Sequence, residues 1–149
     1  MQAPYRTHRR VEFRDTDAAG IMHFSTYFTY MEQAEHELLR SLGTSVVTDL
    51  DGNIPVESGH FDKISWPRVA AECQYAGSAQ FENELEIQVS VARIGRSSVT
   101  YSFRFLLDQQ EIAHGSLTSV CCRFVVGHPR EPMPIPSPLR TQLTQLVTT

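Results

Sequence analysis

Between residues 15 and 25 the chain reads Asp15-Thr16-Asp17-Ala18-Ala19-Gly20-Ile21-Met22-His23-Phe24-Ser25, and a long amphipathic run then ends at Gly43. This stretch places two carboxylates on a tight loop that leads into the start of a predicted helix. A helix start carries unpaired N–H donors and a partial positive charge, so it binds or stabilises negative charge. The sequence therefore predicts the centre of an active site here.

The amphipathic run predicts a helix that begins after an N-cap residue, Ser25, and ends with Gly43 at the C′ position. Arg40 falls in the predicted last turn, where a cation suits the helix dipole. A helix of about 17 residues is roughly 25 Å long, which implies that the rest of the domain covers it along its length. The apolar residues that form one face at helical spacing are Tyr27, Met31, Ala34, Leu38 and Leu42.

The remainder of the chain is predicted to be mostly β-structure. Short turns at 94–97 and 108–110 separate runs in which apolar and polar residues alternate. The long connection 44–65 is expected to be a functional loop or to contain short structure of its own. The predicted strands are 5–13, 69–75, 84–93, 99–107 and 111–126, with Gly115 as a candidate bulge in the last one.

This order of elements predicts an α+β fold in a single domain, 1–149. A sheet with one apolar face needs a cover, and the one long helix can supply it. The expected architecture is the hotdog fold, in which one antiparallel sheet wraps around a long central helix. Its exposed edge strands favour pairing with a second copy. The Pro-rich tail 127–149 is expected to pack on the surface and to close with a short helix that contains Leu139 and Leu143.

The composition excludes several classes of function. Hydrophobic residues make up 41% of the 149, charged residues 20%, and the net charge is −4, which argues against a nucleic-acid partner. No signal peptide or membrane-spanning run is visible, so a cytoplasmic location is expected. Three cysteines without C-x-x-C spacing predict free thiols, and the histidines show no metal-binding spacing. Nucleophile-elbow and Walker motifs do not occur in the sequence.

The motif from Asp15 to Phe24, followed by Tyr27 and the helix, resembles the signature of the hotdog acyl-CoA thioesterases in the 4-hydroxybenzoyl-CoA thioesterase-like branch. The pattern D-x-D-x-x-G-[IV] before a helix carries the likeness, together with the turn Arg93-Ile94-Gly95-Arg96-Ser97-Ser98 between two strands. The likeness extends over residues 5–126 and leaves out the Pro-rich tail.

The resemblance implies a thioester hydrolase with no cofactor besides the coenzyme A of its substrate. Asp17 would act as nucleophile or general base, and the Phe24 amide would polarise the thioester carbonyl. The site would lie between two subunits of a homodimer or homotetramer. The substrate-binding residues implied by the motif and by the turn are Gly20, Ile21, Tyr27, Arg96, Ser97 and Ser98, the last three as contacts for phosphates.

Two positions depart from the family pattern. His23 stands where members of this branch often carry an aromatic residue, and it either donates a hydrogen bond to the thioester oxygen or lines the pocket. Asn83 stands where an acidic residue is common and is expected to affect a turn. Asp15 and Thr16 are expected to stabilise the loop. Glu35, beside the apolar face of the helix, is expected in a solvated or interface position.

Two alternatives stay open at this stage. A dehydratase or hydratase acting on acyl thioesters would need a histidine with an acidic partner, and His23 with Glu35 is the pair that the sequence offers. A non-catalytic acyl-CoA-binding protein would keep the groove. His60, in the long connection, could face the pocket. The sequence does not decide which acyl group is bound or whether the thioester is one of coenzyme A or of a carrier protein. It also leaves open whether Asp17 attacks the thioester covalently or activates water.

Overall fold

The structure is a computed structural model that describes residues 3–54 and 61–148. Its elements form two antiparallel sheets, two α-helices and a short 3-10 turn. None of the helices in these two ranges is both long and apolar enough to span a membrane. The elements are β1 (Tyr5–Arg10), the 3-10 turn (Phe13–Asp15), α1 (Thr26–Ser41), β2 (Val47–Thr48), β3 (Lys63–Ser65), β4 (Arg68–Tyr75), β5 (Glu84–Ile94), β6 (Ser98–Leu107), β7 (Gln110–Val120), β8 (Cys122–Phe124), β9 (Glu131–Pro132) and α2 (Ser137–Thr144).

The larger sheet has the strand order β1-β5-β6-β7-β4, and every neighbouring pair in it is antiparallel. Two hairpins form its centre, as the alternating runs predict. At the tip of the second hairpin, Asp108 and Gln109 have φ values of +50° and +69°. Two successive positive φ values are typical of the two-residue turn that matches the twist of antiparallel strands. The strands β4 and β1 lie at the two edges.

Helix α1 packs against one face of this sheet. The facing positions of β5 and β6 are buried because apolar side chains alternate with polar ones along both strands. The predicted apolar face of α1 is confirmed, since Tyr27, Met31, Ala34 and Leu38 are buried and Leu42 is half-buried. The sheet residues that form this core are Leu85, Ile87, Val89, Val91, Val99, Tyr101, Phe103 and Phe105.

The two ends of α1 differ from each other in how they are capped. At the C-terminus, Gly43 has φ +83° and its amide donates to Arg40, while the Thr44 amide donates to Leu39, which is a Schellman motif. The predicted C′ glycine is therefore confirmed. Ser25 occupies the N-cap position, as predicted, but its hydroxyl makes no capping bond and lies 2.7 Å from His23 Nδ1 instead.

The first strand is shorter than predicted. It ends at Arg10 rather than Phe13, and Phe13 lies in the 3-10 turn with 77% of its surface exposed. The chain leaves the strand here because the Glu12 amide donates to the carboxylate of Asp15, which turns the backbone. Val11 and Phe13 therefore do not share one face of a strand, although their alternation with polar residues had indicated this.

The prediction of one long last strand is also wrong, because this part of the chain forms two strands, β7 and β8. Cys121 interrupts it: its amide donates to Ser97 and its carbonyl accepts from Met133. The strand β8 then joins the smaller sheet, which has the order β2-β3-β8-β9. The prediction of a single sheet is corrected accordingly, since the described residues form a main sheet and a smaller one.

Gly115 is not a bulge, because the register of β7 with β4 and β6 is continuous there. A Cβ atom at this position would lie 2.7 Å from the Glu72 carbonyl oxygen and 2.8 Å from Met31 Sδ. These distances are shorter than real Cβ contacts. The glycine therefore allows α1 to approach the sheet closely.

The Pro-rich tail is more deeply integrated than predicted. Strand β9 pairs with β8, and the expected terminal helix forms as α2. Ile135, Leu139 and Leu143 of this tail are buried in the main core. The long connection contains β2 and β3, as short structure in it was expected, whereas His60 lies outside the described residues.

Candidate active site

The loop that carries Asp17 is a small antiparallel hairpin. Thr16 pairs with Met22, and the Asp17 amide donates to the Ile21 carbonyl over 2.8 Å. Gly20 closes the turn with φ +84°, and its amide donates to the Asp17 carbonyl. No atom lies within 4 Å of where a Cβ of Gly20 would stand, so the glycine serves the backbone conformation and leaves open space beside it.

The Asp17 carboxylate is held at one oxygen and open at the other. Oδ1 accepts the Ala19 amide at 2.8 Å and the Ile21 amide at 3.4 Å. Oδ2 accepts no hydrogen bond from residues 3–54 or 61–148. The side chain is half-buried. A carboxylate that is fixed in orientation with a free oxygen can attack a carbonyl carbon or remove a proton from water.

Asp15, by contrast, has a structural role, as predicted. Its Oδ2 accepts the Glu12 amide and the Tyr30 hydroxyl, at 2.9 and 2.7 Å. Its backbone carbonyl accepts the His23 amide and the Thr26 hydroxyl, which ties the hairpin to the start of α1. Burial, with the hydrogen bond to Asp15, raises the pKa of Tyr30 well above its ordinary value, so the phenol stays a donor.

The hairpin also docks on the segment before β5. Met22 donates its amide to the Ala79 carbonyl at 2.7 Å, and Ile21 pairs with Gln80. Asn83 holds this segment in a turn, since its side-chain oxygen accepts the Gln80 amide. The expectation that Asn83 affects a turn is therefore confirmed.

The amide of Phe24 makes no hydrogen bond to a protein acceptor in the part of the chain that the structure describes. Helix α1 begins two residues later, and the Phe24 ring is 63% exposed. A free N–H at a helix N-terminus is a ready donor for an oxyanion. The candidate donor therefore lies two residues after the hairpin that carries the candidate carboxylate.

His23 lies beside this amide and stacks on the Phe24 ring, with 4.5 Å between the ring centroids. The Ser25 amide donates to His23 Nδ1 at 3.2 Å, which makes Nδ1 an acceptor and assigns the ring proton to Nε2. An Nε2–H group can donate to a ligand. Both roles expected from the sequence, donor and pocket-lining residue, remain compatible with this placement.

The predicted substrate-binding residues fall into separate places. Tyr27 is only 2% exposed and contacts the rings of Tyr75 and Phe105, so in one chain it belongs to the core. Gly20 and Ile21 lie on the hairpin with Asp17.

The turn with Arg96, Ser97 and Ser98 lies at the far end of β5, whose first residue follows the segment on which the hairpin docks. Strand β5 has 11 residues, which span about 35 Å. Within one chain this turn therefore does not meet Asp17.

Sequence reasoning placed Glu35 incorrectly. Its side chain is 1% exposed and pairs with Arg68, which also donates to Ser119 at 2.7 Å and lies 3.5 Å from Glu32. Among the residues that the structure describes, Oε1 of Glu35 has no hydrogen-bond partner. Burial raises the pKa of Glu35, and Arg68 opposes this. Its spacing of four residues from Met31 could have indicated burial, but nothing in the sequence pairs it with Arg68.

Sequence reasoning also missed Tyr75, the last residue of β4. Its hydroxyl donates to the Phe24 carbonyl over 2.8 Å, and its ring meets Tyr27 edge to face at 5.0 Å. The two residues are 51 positions apart, so no local pattern could have indicated this contact. Within the described ranges no cluster of three or more His, Cys, Asp or Glu side chains is suited to hold a metal ion.

A cavity of about 360 Å³ lies at the opposite end of α1 from Phe24. Its walls come from the C-terminus of α1, from the segment around β2 and β3, and from α2, and they include Trp66 and Leu139. None of its lining residues belongs to the hairpin. The hairpin lies at the surface instead, with Ala18, Ala19 and Gly20 exposed.

Comparison with known proteins places the chain among thioesterases. A family model described as the thioesterase-like superfamily matches residues 11–143. A "Putative esterase" of Aquifex aeolicus (strain VF5) is 28% identical over 132 residues, 86% of this chain and 94% of that protein. A "1,4-dihydroxy-2-naphthoyl-CoA hydrolase" of Synechococcus sp. (strain WH7803) is 30% identical over 75% of this chain and 72% of that protein.

Solved structures agree with this placement. A gentisyl-coenzyme A thioesterase superposes with a TM-score of 0.74 at 26% identity, over 93% of this chain and 99% of that one. A 1,4-dihydroxy-2-naphthoyl-CoA thioesterase from Synechocystis superposes with a TM-score of 0.78 over 95% of this chain and 96% of that one. At 20% identity this likeness shows the fold alone.

The family match extends beyond residue 126 into the tail, so the expectation that the likeness stops there is wrong. The resemblance to hotdog acyl-CoA thioesterases, drawn from the hairpin and the turn, is confirmed, and the chain belongs to the thioesterase-like superfamily.

Proposed function

We propose that this protein hydrolyses an acyl-CoA thioester to the free acid and coenzyme A, with Asp17 and the Phe24 amide as the reacting groups. The observation that carries the proposal is the hairpin itself. It holds one oxygen of Asp17 with two backbone amides, leaves the other oxygen open, and ends at an amide without a protein acceptor. Membership of the thioesterase-like superfamily supports the reaction class.

The chemistry needs few protein groups. The thioester oxygen accepts the Phe24 N–H, so negative charge can build on it as the carbonyl carbon is attacked. Asp17 either attacks this carbon, forming an anhydride that water then opens, or removes a proton from the attacking water. In both routes the C–S bond breaks and the thiolate of coenzyme A leaves. His23 Nε2–H is a second donor for the oxygen.

We propose an aromatic acyl group for the substrate. Relatives named for 1,4-dihydroxy-2-naphthoyl-CoA and gentisyl-coenzyme A support this class. The exposed Phe24 ring and the 44% exposed Tyr75 ring beside it would offer aromatic faces to such a group. Tyr27 and Ile21 would support these faces from below.

We propose further that α1 is the central helix of the hotdog fold and that β4 pairs with a second copy. The strand β4 is an edge of the main sheet, and most of its residues are exposed, with Val69 at 62%. An unpaired edge of this length favours a strand partner. The turn with Arg96, Ser97 and Ser98 would then come from the partner copy to contact the phosphates of coenzyme A.

The alternative reaction on acyl thioesters receives no support from the geometry. It would use His23 with Glu35, but the Glu35 carboxylate is buried and engaged by Arg68. His23 lies at the start of α1, and Glu35 is twelve positions further along the chain, well into the helix. A carboxyl group in that position cannot act on a ligand at the mouth of the helix.

The test is hydrolysis of a panel of short, long and aromatic acyl-CoAs, followed with a thiol reagent. In Asp17→Asn the kcat for the best substrate is expected to fall about 100-fold or more, because the group that attacks or activates water is lost. Asp108→Asn, the same chemical change in an exposed turn, should match the wild type. Equal rates for wild type and Asp17→Asn on every substrate would refute the assignment.

A further inference from the structure

We propose that Tyr75 is a positioning residue of the site, whose hydroxyl holds the Phe24 backbone so that its free amide faces the thioester oxygen. The inference rests on the proposed function, because it assigns a role to the donor named there. Tyr75 lies outside the sequence motif, on β4, which is the edge of the main sheet opposite β1.

Phe24 needs an external support because the backbone amides of its neighbours are hydrogen-bonded, whereas its own amide has no bond within the described residues. The His23 amide donates to Asp15, the Ser25 amide donates to His23 Nδ1, and the Thr26 amide donates to the His23 carbonyl. The Phe24 amide makes no hydrogen bond within the described ranges, and the Phe24 ring is largely exposed. Among the residues described, the Tyr75 hydroxyl is the one group that hydrogen-bonds the Phe24 backbone, at its carbonyl oxygen.

Tyr75 is itself well fixed. It is the last residue of β4, where it pairs with Ala113 of β7. Its ring meets the Tyr27 ring edge to face, and Tyr27 meets Phe105 in the same manner at 5.1 Å. This series of three rings connects the hydroxyl to the centre of the sheet. Burial, assisted by Cys73, raises the pKa of Tyr75 to about 12, so the phenol remains protonated as a donor near neutral pH.

The expected consequence is a contribution to the rate and not to ground-state binding. An oxyanion donor acts only when it points to where charge develops, and loss of one donor costs about 100- to 1,000-fold in kcat. Removal of the support leaves the donor present but less well oriented. The effect should therefore be a fraction of that loss.

The first measurement is the kinetics of Tyr75→Phe on the best acyl-CoA of the panel. This change keeps the ring contact with Tyr27 and deletes the hydroxyl alone. We expect kcat to fall about tenfold, with KM unchanged within about twofold. Tyr5→Phe deletes a hydroxyl on β1 that makes no hydrogen bond within the described ranges, and it should retain wild-type kcat. A thermal melt of each variant checks that it is folded.

The second measurement reports on the carbonyl directly. In the slow Asp17→Asn background the thioester stays intact when bound, and its C=O stretching frequency can be read by isotope-edited infrared spectroscopy. Hydrogen bonding from Phe24 should lower this frequency relative to the free thioester. In Asp17→Asn/Tyr75→Phe the frequency should shift back toward the free value, whereas Asp17→Asn/Tyr5→Phe should leave it unchanged.

The outcomes separate the two proposals. If the wild type hydrolyses thioesters and Asp17→Asn does not, but Tyr75→Phe equals the wild type in kcat and frequency, the positioning role is wrong and the function stands. A rise in KM alone would make the Tyr75 hydroxyl a substrate contact and not a support of the Phe24 backbone, which would overturn the inference. If the wild type hydrolyses none of the panel, the proposed function itself fails.

Discussion

Asp15 and Asp17 are separated by one residue, yet their carboxylates have different surroundings. Asp15 is bound by the Tyr30 hydroxyl and the Glu12 amide, so it holds the loop together. Asp17 is bound at one oxygen by its own turn and is open at the other. The alternation of the hairpin directs the Asp15 side chain toward Tyr30 of α1 and leaves one oxygen of Asp17 without a donor among the described residues. The different surroundings of the two acids therefore follow from local geometry.

Gly115 gives a prediction about packing at the scale of one residue. Gly115→Ala would place a methyl group against the Glu72 carbonyl and Met31 Sδ, so α1 or β4 must move. We expect the free energy of unfolding to fall by about 1–3 kcal/mol, as for other overpacked cores. Urea denaturation measures this change. Ser116→Ala, at the next position of β7, should stay close to the wild type, and a Gly115→Ala variant of unchanged stability would contradict the close approach.

At the scale of elements, α1 is joined to β4 near both ends of that strand. Arg68 at the start of β4 reaches Glu35 and Glu32 on α1, and Tyr75 at its end reaches Phe24. Within residues 3–54 and 61–148 the strand lies at an edge of the sheet, where it makes ladder bonds with β7 only. The contacts of Arg68 and Tyr75 therefore help to hold β4 in place, since hydrogen bonds to a neighbouring strand hold it on one side alone.

The Arg68 contact gives a prediction for this element. Arg68→Met would leave the Glu35 carboxylate buried without a cation, and we expect a loss of about 3 kcal/mol in the free energy of unfolding. The double variant Glu35→Leu/Arg68→Met removes both charges and should recover most of that loss. Denaturation of the three proteins measures the coupling. Equal stability of Arg68→Met and the wild type would mean that Glu35 needs no partner.

At the scale of the whole molecule, one chain does not assemble all the predicted substrate contacts. Asp17 and the turn with Arg96 lie at opposite ends of β5, and the hairpin is open to solvent. A second copy that pairs along β4 is the arrangement that we propose to complete the site. The two edge strands expose different kinds of side chain. The strand β1 alternates exposed charged residues with half-buried ones, whereas β4 exposes Val69, Ala70 and Ala71.

Val69→Lys tests this assembly. A lysine in place of the exposed Val69 would put a charge into a β4–β4 interface, so we expect the variant to sediment as a monomer where the wild type sediments as a dimer or larger assembly. Its rate on acyl-CoA should fall with the loss of the partner's contacts. His8→Lys, an equivalent change on the exposed side of β1, should leave the assembly intact. Dissociation by His8→Lys and not by Val69→Lys would assign the interface to the other edge.

Much of the fold was predictable because its signals are local. Helix α1, the hairpins of β5, β6 and β7, and Gly43 at the helix end all follow from periodicity and turn chemistry that a few neighbouring residues carry. The predictions that were wrong have two origins. The break at Cys121 depends on the distant Ser97 and Met133, whereas the end of β1 depends on a local turn in which the Glu12 amide donates to Asp15, and an alternating pattern does not record such a turn.

The amino-acid sequence by itself determined the helix, the alternating strands and the hairpin with its two acids, because these depend on spacing along the chain. Tertiary structure alone decided that Glu35 is buried against Arg68, that Gly115 makes room for α1, and that Tyr75 reaches Phe24. Each of these contacts joins residues that are far apart in the chain. Their energy exists only once the sheet and the helix are packed together, so no local pattern encodes them.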